Sequence, residues 1–547
     1  MAAISRLSPA LLLSLAVFLV GWFGTLGTHR LVEPDEGRYA EIPREMARSG
    51  DWITPRLNGI KYFEKPPLQY WATAATYELF GTSEWSARLW AALTGFLGIL
   101  LTVWLAARQY GSRTALLAGA VQAGSLMYVV LAHVSTLDMG LTFTLQMALS
   151  GLVLLTDRRR ESSPPWQAVP LLAAGVALAF LSKGLIGILI PGAVAGIYVL
   201  VTRDWQLIWR SKPWWSLLAL VAIAGPWLLA VSQHNPEFAR FFFIHEHFAR
   251  FLTRVHDRYH SDAFFIPFLL AGFLPWTPLL PLLALDAWRS WRTQDRVAQL
   301  LTIWVVFVFL FFSLSQSKLI PYILPLFPAL ALLAGRLLAR LPARPLAWSL
   351  AAAAAFWLLI ALAGTAVALW PGIAATLWES GGQARTGLIT SAWAVALATA
   401  LAAILAVRGR VLAAAWVAAA GSMLFSALLL ASVEKLPTRQ SVSRMIASVQ
   451  PRLTARTRLY CVNSYHQSIP FYLGRTCTLV RYRGEMEFGL NQEPMLFIPD
   501  LERFAAAWRT EGDAVAFVDA SAYEDLRRMN LPMRVLHAEP SLIAITP

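Results

Sequence analysis

The chain has 547 residues, of which 57% are hydrophobic and only 14% charged, with a mean hydropathy of +0.54. Soluble domains carry about 25% charged residues, so this composition excludes an ordinary water-soluble globular protein. In so apolar a chain the formal net charge of +14 reads as the basic loops of a polytopic membrane protein, not as a nucleic-acid surface.

The first apolar run, Pro9–Leu26, follows a single Arg6. It exceeds the apolar core of a secretory signal and predicts an uncleaved first helix over 8–27. Further runs fall at 86–106, 114–132, 137–155, 167–182, 184–201, 214–233, 263–284, 298–314, 319–335, 346–370, 387–407 and 411–432. These predict about thirteen transmembrane helices. Arg108 and Arg113 follow the second run, Arg158, Arg159 and Arg160 the fourth, Arg203, Arg210 and Lys212 the sixth. The same holds after the eighth (Arg289, Arg292), tenth (Arg336, Arg340) and twelfth (Arg408, Arg410). Basic loops stay in the cytoplasm, so the N-terminus is expected there and the C-terminus outside.

The division expected is a membrane domain, 1–432, with outer loops 28–85 and 234–262, followed by an outer domain, 433–547. That tail alternates strand-like runs ("RLYCV", "PMLFIP", "AVAFVDA", "SLIAIT") with helix-like ones ("LERFAAAWR", "AYEDLRRM"), the pattern of a small α/β domain. Its Cys461 and Cys477 are the only cysteines. They are either one disulfide of an oxidising compartment or two buried thiols.

The outer loops break the charge rule. Loop 28–85 mixes Arg30, Arg38, Arg44, Arg48, Arg56, Lys61 and Lys65 with Glu33, Asp35, Glu36, Glu41, Glu45, Asp51 and Glu64. Loop 234–262 interleaves Arg240, Arg250 and Arg254 with aromatics and with His245 and His247. Ionisable residues near a membrane are costly and default to functional candidates. Cations flanked by aromatics suit an anionic headgroup on an apolar tail, although basic loops also lie nonspecifically on anionic phospholipid. In "EPDEGRY" (33–39), Asp35, Arg38 and Tyr39 share a helical face. Pro34 and the acids equally suit a plain helix start.

The segments "EPDEGRYAEIPREM" and "GDWITPRLNGIKYFEKPPLQYW", followed by "STLDMGLTF", "FLSKGLIGILIPG", "FFFIHEHFARF" and "SKLIPYILPLFPALALL", resemble the membrane glycosyltransferases of the GT-C superfamily. These use polyprenyl-phosphate sugars and include the protein O-mannosyltransferases. Within them the nearest resemblance is to the bacterial transferases that add 4-amino-4-deoxy-L-arabinose to lipid A. The likeness covers about residues 30–335. It implies a GT-C type α-helical polytopic membrane fold and an inverting pentosyl transfer from undecaprenyl phosphate to a lipid A phosphate, on the periplasmic side of the bacterial inner membrane. Polymyxin resistance would follow, because a cationic sugar lowers the negative charge of the outer surface.

The resemblance further implies Asp35 as the acid-side catalytic residue, with Glu36 the weaker candidate. A lipid A phosphate is already ionised, so Asp35 would orient acceptor or sugar, or stabilise the transition state, and the sequence does not choose. The departing phosphate needs positive charge. Lys65, which Pro66 pushes into extended backbone, is assigned to it. Arg250 is the second choice, against snorkelling, and Tyr39, Tyr62 and Tyr322 are hydrogen-bond donors. Lys183 either lines the cavity or snorkels, and the resemblance favours the cavity. Asp138 either caps its helix or faces the site. No organic cofactor is expected. The resemblance suggests a divalent ion, zinc, bridging Glu64 and His245, though "HEHFAR" is not H-E-x-x-H. The expected partners are the undecaprenyl-phosphate-linked donor, lipid A and membrane lipids, with no nucleic acid and a monomeric chain. The competing readings are a protein O-mannosyltransferase or another polyprenyl-phosphate-sugar transferase, a lipid transporter or flippase, and a lipid-binding scaffold without turnover.

Overall fold

The computed structural model describes residues 18–157, 165–244, 260–369, 382–433 and 442–547. Its packing divides the chain into two compact units: Met1–Thr28 with Arg88–Leu436, and His29–Ala87 with Pro437–Pro547. The sequence division assigned loop 28–85 to the membrane part. In packing, that loop instead groups with the tail.

The first unit is helical. Among the described residues, eight helices are long and apolar enough to cross a bilayer, or up to ten if each of two bent pairs is one span. The bent pairs are Ser112–Gly124 with Leu126–Ala132, at 67°, and Phe265–Gly272 with Thr277–Arg292, at 108°. Ala168–Lys183 and Ile186–Thr202 are shorter apolar helices. Of the expected first span, only residues from 18 onward are described. The chain is a multi-pass membrane protein. Helix Pro213–His234 leaves Leu217, Leu218, Val221 and Leu229 exposed, a face suited to lipid. Helix Leu137–Thr156 is almost wholly buried.

Lipid tails are as apolar as leucine, so the helices of such a unit associate through close packing of small residues. Gly175 lies where a Cβ would sit 2.3 Å from the backbone nitrogen of Ala148. Gly335 stands likewise against Ala118, at 2.6 Å. These contacts bring Ala168–Lys183 against Leu137–Thr156, and Phe327–Arg340 against Ser112–Gly124.

The second unit holds a two-stranded ribbon, β1 (Arg56–Leu57) and β2 (Ile60–Lys61), and a six-stranded sheet. The sheet strands are β3 (Arg458–Val462), β4 (Thr478–Val480), β5 (Phe497–Ile498), β6 (Ala514–Asp519), β7 (Arg534–Ala538) and β8 (Leu542–Thr546). Their order is β5-β4-β3-β6-β8-β7. The β5-β4-β3-β6 pairs are parallel, and β8 and β7 are antiparallel. Parallel neighbours require crossovers, which helices Ser468–Leu473 and Leu501–Trp508 supply. Trp508, Phe504, Tyr460 and Val518 anchor the core. The α/β expectation holds, with two strands the sequence did not reveal. β4 is only three residues long, and β7 is a largely exposed edge with an irregular register between Val535 and His537.

Gly175→Ala is expected to destabilise the helical unit by about 1–3 kcal/mol, because the neighbouring backbone must give way. Gly196→Ala, with nothing within 4 Å of its added Cβ, serves as the control. Thermal midpoints in detergent measure both, and equal midpoints would contradict this packing.

Candidate active site

Each unit carries one constellation of the expected residues. In the second unit, helix Asp35–Ser49 starts after Pro34 without a side-chain cap, with Asp35 and Glu36 in its first turn. Their carboxylates have different employments. Glu36 is 1% exposed, accepts a hydrogen bond from the Val32 amide at 3.0 Å, and lies 4.0 Å from His29 Nε2. It ties the incoming loop to the helix. Asp35 keeps 46% of its side chain exposed and accepts from Arg38 Nη1 at 2.8 Å.

Arg38 is the residue the sequence reading left out of the site. Its guanidinium is 8% exposed, contacts Asp35 and Glu485, and lies 5.8 Å from the Tyr39 ring centroid. Its Nε is buried without a hydrogen-bond partner. Burial opposes the charge, but its surroundings, the carboxylates of Glu485 and Asp35 among them, outweigh it and hold the group well above its ordinary pKa. The i,i+3 spacing from Asp35 was the available signal. Glu485 had none, because it lies in the tail.

Gly37 explains the small residue inside "DEGRY". A Cβ there would sit 2.7 Å from the Ser468 nitrogen, so glycine lets the tail approach the helix. Glu33 closes the same joint, accepting from the Ser468 amide at 2.8 Å, the Gln467 amide at 3.2 Å, and the Ser468 hydroxyl. Asn58 makes a reciprocal pair with Cys477, donating to its carbonyl at 2.7 Å and accepting from its amide at 2.8 Å. Cys461 and Cys477 are buried free thiols on neighbouring parts of the sheet, and burial raises the Cys461 pKa.

Tyr39 and Tyr62 are both buried, and Tyr39 stacks on Tyr70 at 6.3 Å. Burial raises the pKa values of Tyr62 and Tyr70 well above the ordinary range, so both act as neutral hydroxyls. Lys65 donates to the Glu64 carbonyl at 2.8 Å and stands 3.9 Å from the Glu64 carboxylate, with 13% of its side chain exposed. The second unit therefore brings together Asp35, Tyr39 and Tyr62, and it places Lys65 beside Glu64.

In the first unit, Lys183 donates to Asp138 Oδ1 at 2.6 Å, with its ammonium 4.5 Å from the Tyr322 ring centroid. Three residues expected separately form one group. Coulomb attraction falls with distance, so this ion pair is about half as strong again as one at the 3.9 Å Lys65–Glu64 spacing in the same medium. Lys318, 1% exposed, donates to the His260 carbonyl at 2.9 Å and lies 3.6 Å from Asp262.

Arg250 and His245 lie outside the described residues. Among the described residues, no group of three or more His, Cys, Asp or Glu side chains converges as a metal site would. Glu64 with His245 would supply two ligands of the usual four. A bound ion would therefore be structural or completed by a ligand, and no chemical step is routed through a metal.

Glu33 titrates near neutrality, since burial pushes it up to about 7 against hydrogen bonds from Ser468 and Gln467. Burial raises Glu41, Glu45 and Glu485 as well. A carboxyl whose folded pKa is raised binds more protons folded than unfolded. Its stabilisation is complete below the unfolded value near 4.5 and is lost as pH rises through the folded one. The thermal midpoint is expected to fall between pH 5 and 7.5, and Glu33→Gln is expected to flatten that slope. An unchanged slope in Glu33→Gln would contradict the assignment to Glu33.

Two family models match the chain: the dolichyl-phosphate-mannose-protein mannosyltransferase model over residues 6–242 and the aminoarabinose transferase C-terminal domain over 445–547. The crystal structure of ArnT from Cupriavidus metallidurans bound to undecaprenyl phosphate is 36% identical, with a TM-score of 0.90, covering 98% of this chain and 97% of that one. The apo structure of ArnT from the same organism gives 35% and 0.89, covering 100% and 98%. The undecaprenyl phosphate-alpha-4-amino-4-deoxy-L-arabinose arabinosyl transferase of Edwardsiella ictaluri (strain 93-146) is 34% identical over 320 residues, 58% of this chain and 57% of the relative. The aligned portion thus spans somewhat over half the length of that curated relative.

Proposed function

The chain belongs to the ArnT family of GT-C membrane glycosyltransferases, and on that premise we propose that it transfers 4-amino-4-deoxy-L-arabinose from undecaprenyl phosphate to a phosphate of lipid A. The observation that carries this reading is the near end-to-end likeness to an ArnT crystallised with undecaprenyl phosphate. The reaction faces the periplasm of the inner membrane, with a cytoplasmic N-terminus and a monomeric enzyme. The paired arginines after alternate spans support that orientation.

A phosphate oxygen of the acceptor attacks the anomeric carbon. The bond from that carbon to the donor phosphate oxygen breaks, its electron pair leaves with undecaprenyl phosphate, and the configuration inverts. No proton need be removed from an ionised acceptor. What the protein supplies is charge and position.

Asp35 suits the second task. Half exposed and fixed by a charged Arg38, it offers a carboxylate to the cationic amino group of the sugar or to the developing oxocarbenium centre. Glu36, employed on the Val32 amide, acts as a positioning residue. Lys65, whose ammonium donates to the Glu64 carbonyl at 2.8 Å, takes the leaving phosphate. Lys183 contributes as part of a pair with Asp138, beside Tyr322. Arg250 remains the second cation for the donor, with Tyr39 and Tyr62 as hydroxyl donors.

The mannosyltransferase model over residues 6–242 favours one rival, a transfer to protein. Mass spectrometry of lipid A separates the two, in a strain lacking its own aminoarabinose transferase and expressing this chain. The reading expects an aminoarabinose-sized gain on lipid A. It further expects Asp35→Asn to lose about 10²–10³ in turnover at normal expression. Label on protein instead of lipid A would overturn the acceptor, and full activity in Asp35→Asn would reduce Asp35 to a helix start.

A zinc ion between Glu64 and His245 is part of the proposal as a structural or ligand-completed ion. Metal analysis of purified protein is expected to give one zinc per chain, lost in Glu64→Gln. Zinc absent from both proteins would remove it.

A further inference from the structure

We propose a phosphate-binding site at the arginine-rich end of the helical unit, separate from the transfer chemistry. A cavity of about 990 Å³ opens there, lined among others by Tyr110, Gly111, Arg113, Arg296, Arg336 and Arg340. Helix Leu137–Thr156 has Asp138 at one end and Thr156, another lining residue, at the other. Its 20 residues separate the cavity from the Lys183–Asp138 pair by roughly 30 Å, a hydrocarbon thickness.

Three independent features point to an oxyanion. The first is the start of helix Ser112–Gly124, a 13-residue helix whose N-cap, Gly111, gives no side-chain cap. Its first amides carry the positive end of the helix dipole. Gly111 has a φ of +90°, and a Cβ on it would meet nothing within 4 Å, so the approach to those amides is open.

The second is charge. Asp157 and Asp295 also line the cavity, and Asp295 is taken up by the Ala298 amide and by Arg336 at 2.7 Å. Arg336 is further paired with Asp286 at 3.0 Å, so its charge is balanced. Arg296 donates to the neutral Thr202 carbonyl at 3.0 Å. Arg113 and Arg340 are exposed. Four arginines against two aspartates leave the lining positive.

The third is a set of buried polar atoms with no hydrogen-bond partner, the Tyr110 hydroxyl and the Nε atoms of Arg296 and Arg336. Arg336 is only 3% exposed. Buried donors are rarely left unsatisfied, and a tetrahedral oxyanion offers acceptors to several at once. The ligand class is therefore a phosphate group, borne by an anionic phospholipid or by a soluble phosphate.

The test uses the full-length protein in nanodiscs and native mass spectrometry. Phosphatidylglycerol, phosphatidylcholine and inorganic phosphate are the probes. Wild type is compared with an Arg113→Gln/Arg340→Gln double variant, both changes being at exposed positions. The site expects phosphatidylglycerol to be retained over phosphatidylcholine, to be displaced by inorganic phosphate, and to bind about tenfold more weakly for each arginine removed. Phosphate binding with the same loss in the variant, but no retained phosphatidylglycerol, identifies the soluble source. Equal binding of both anions by wild type and variant would overturn the site.

Discussion

A guanidinium buried among carboxylates organises the candidate centre. Stripping the water from an unpaired Arg38 would cost several kcal/mol, and Asp35, half exposed, offsets only part of it. Glu485, from the far end of the chain, supplies the rest. The helix bearing Asp35 and the C-terminal segment bearing Glu485 are therefore stabilised together. The same joint needs Gly37, where any side chain would strike the Ser468 backbone, and Glu33, which accepts from Ser468 and Gln467. The charge-rich first loop and the tail fold as one unit for this electrostatic reason.

The division of labour between the two acids of "EPDEGRY" has the same origin. A helix without a side-chain cap leaves its entering loop in want of an acceptor, and Glu36 reaches back to the Val32 amide to provide it. Asp35 faces the other way and is held at one oxygen by Arg38. Neighbouring residues on a helix point about 100° apart, so one acid is taken up by the backbone while the other stays half exposed. The helical unit repeats the theme with Lys183 and Asp138, whose opposite charges meet at 2.6 Å beside Tyr322.

Much of this was legible in the sequence. Most of the described apolar runs fall on helices because a bilayer demands length and continuity, while runs 114–132 and 263–284 fall on helix pairs bent by 67° and 108°, and loops 28–85 and 234–262 stood out because charge at a membrane needs a reason. Asp35, Lys65 and Lys183 could be singled out as candidates from local motifs. Arg38 was visible at i+3 from Asp35, but its importance depends on Glu485, nearly 450 positions away by chain number. No local pattern predicts a pairing across that separation. Strands β4 and β7 were missed for a related reason. A three-residue strand and an exposed edge carry little periodicity, and their partners define them. The place of loop 28–85 beside the tail is likewise a matter of long-range contacts, through Asn58 and Cys477.

The central claim is that Arg38 works as a bridge between Asp35 and Glu485 of the C-terminal α/β fold. A double-mutant cycle on the transfer rate, with Arg38→Gln, Glu485→Gln and the pair, tests it most directly. Residues sharing one charged network couple by about 0.5–3 kcal/mol. The account expects each single change to slow transfer and the double change to be much milder than their sum. Strict additivity, at unchanged thermal stability, would contradict the bridge and leave Asp35 to act without the tail.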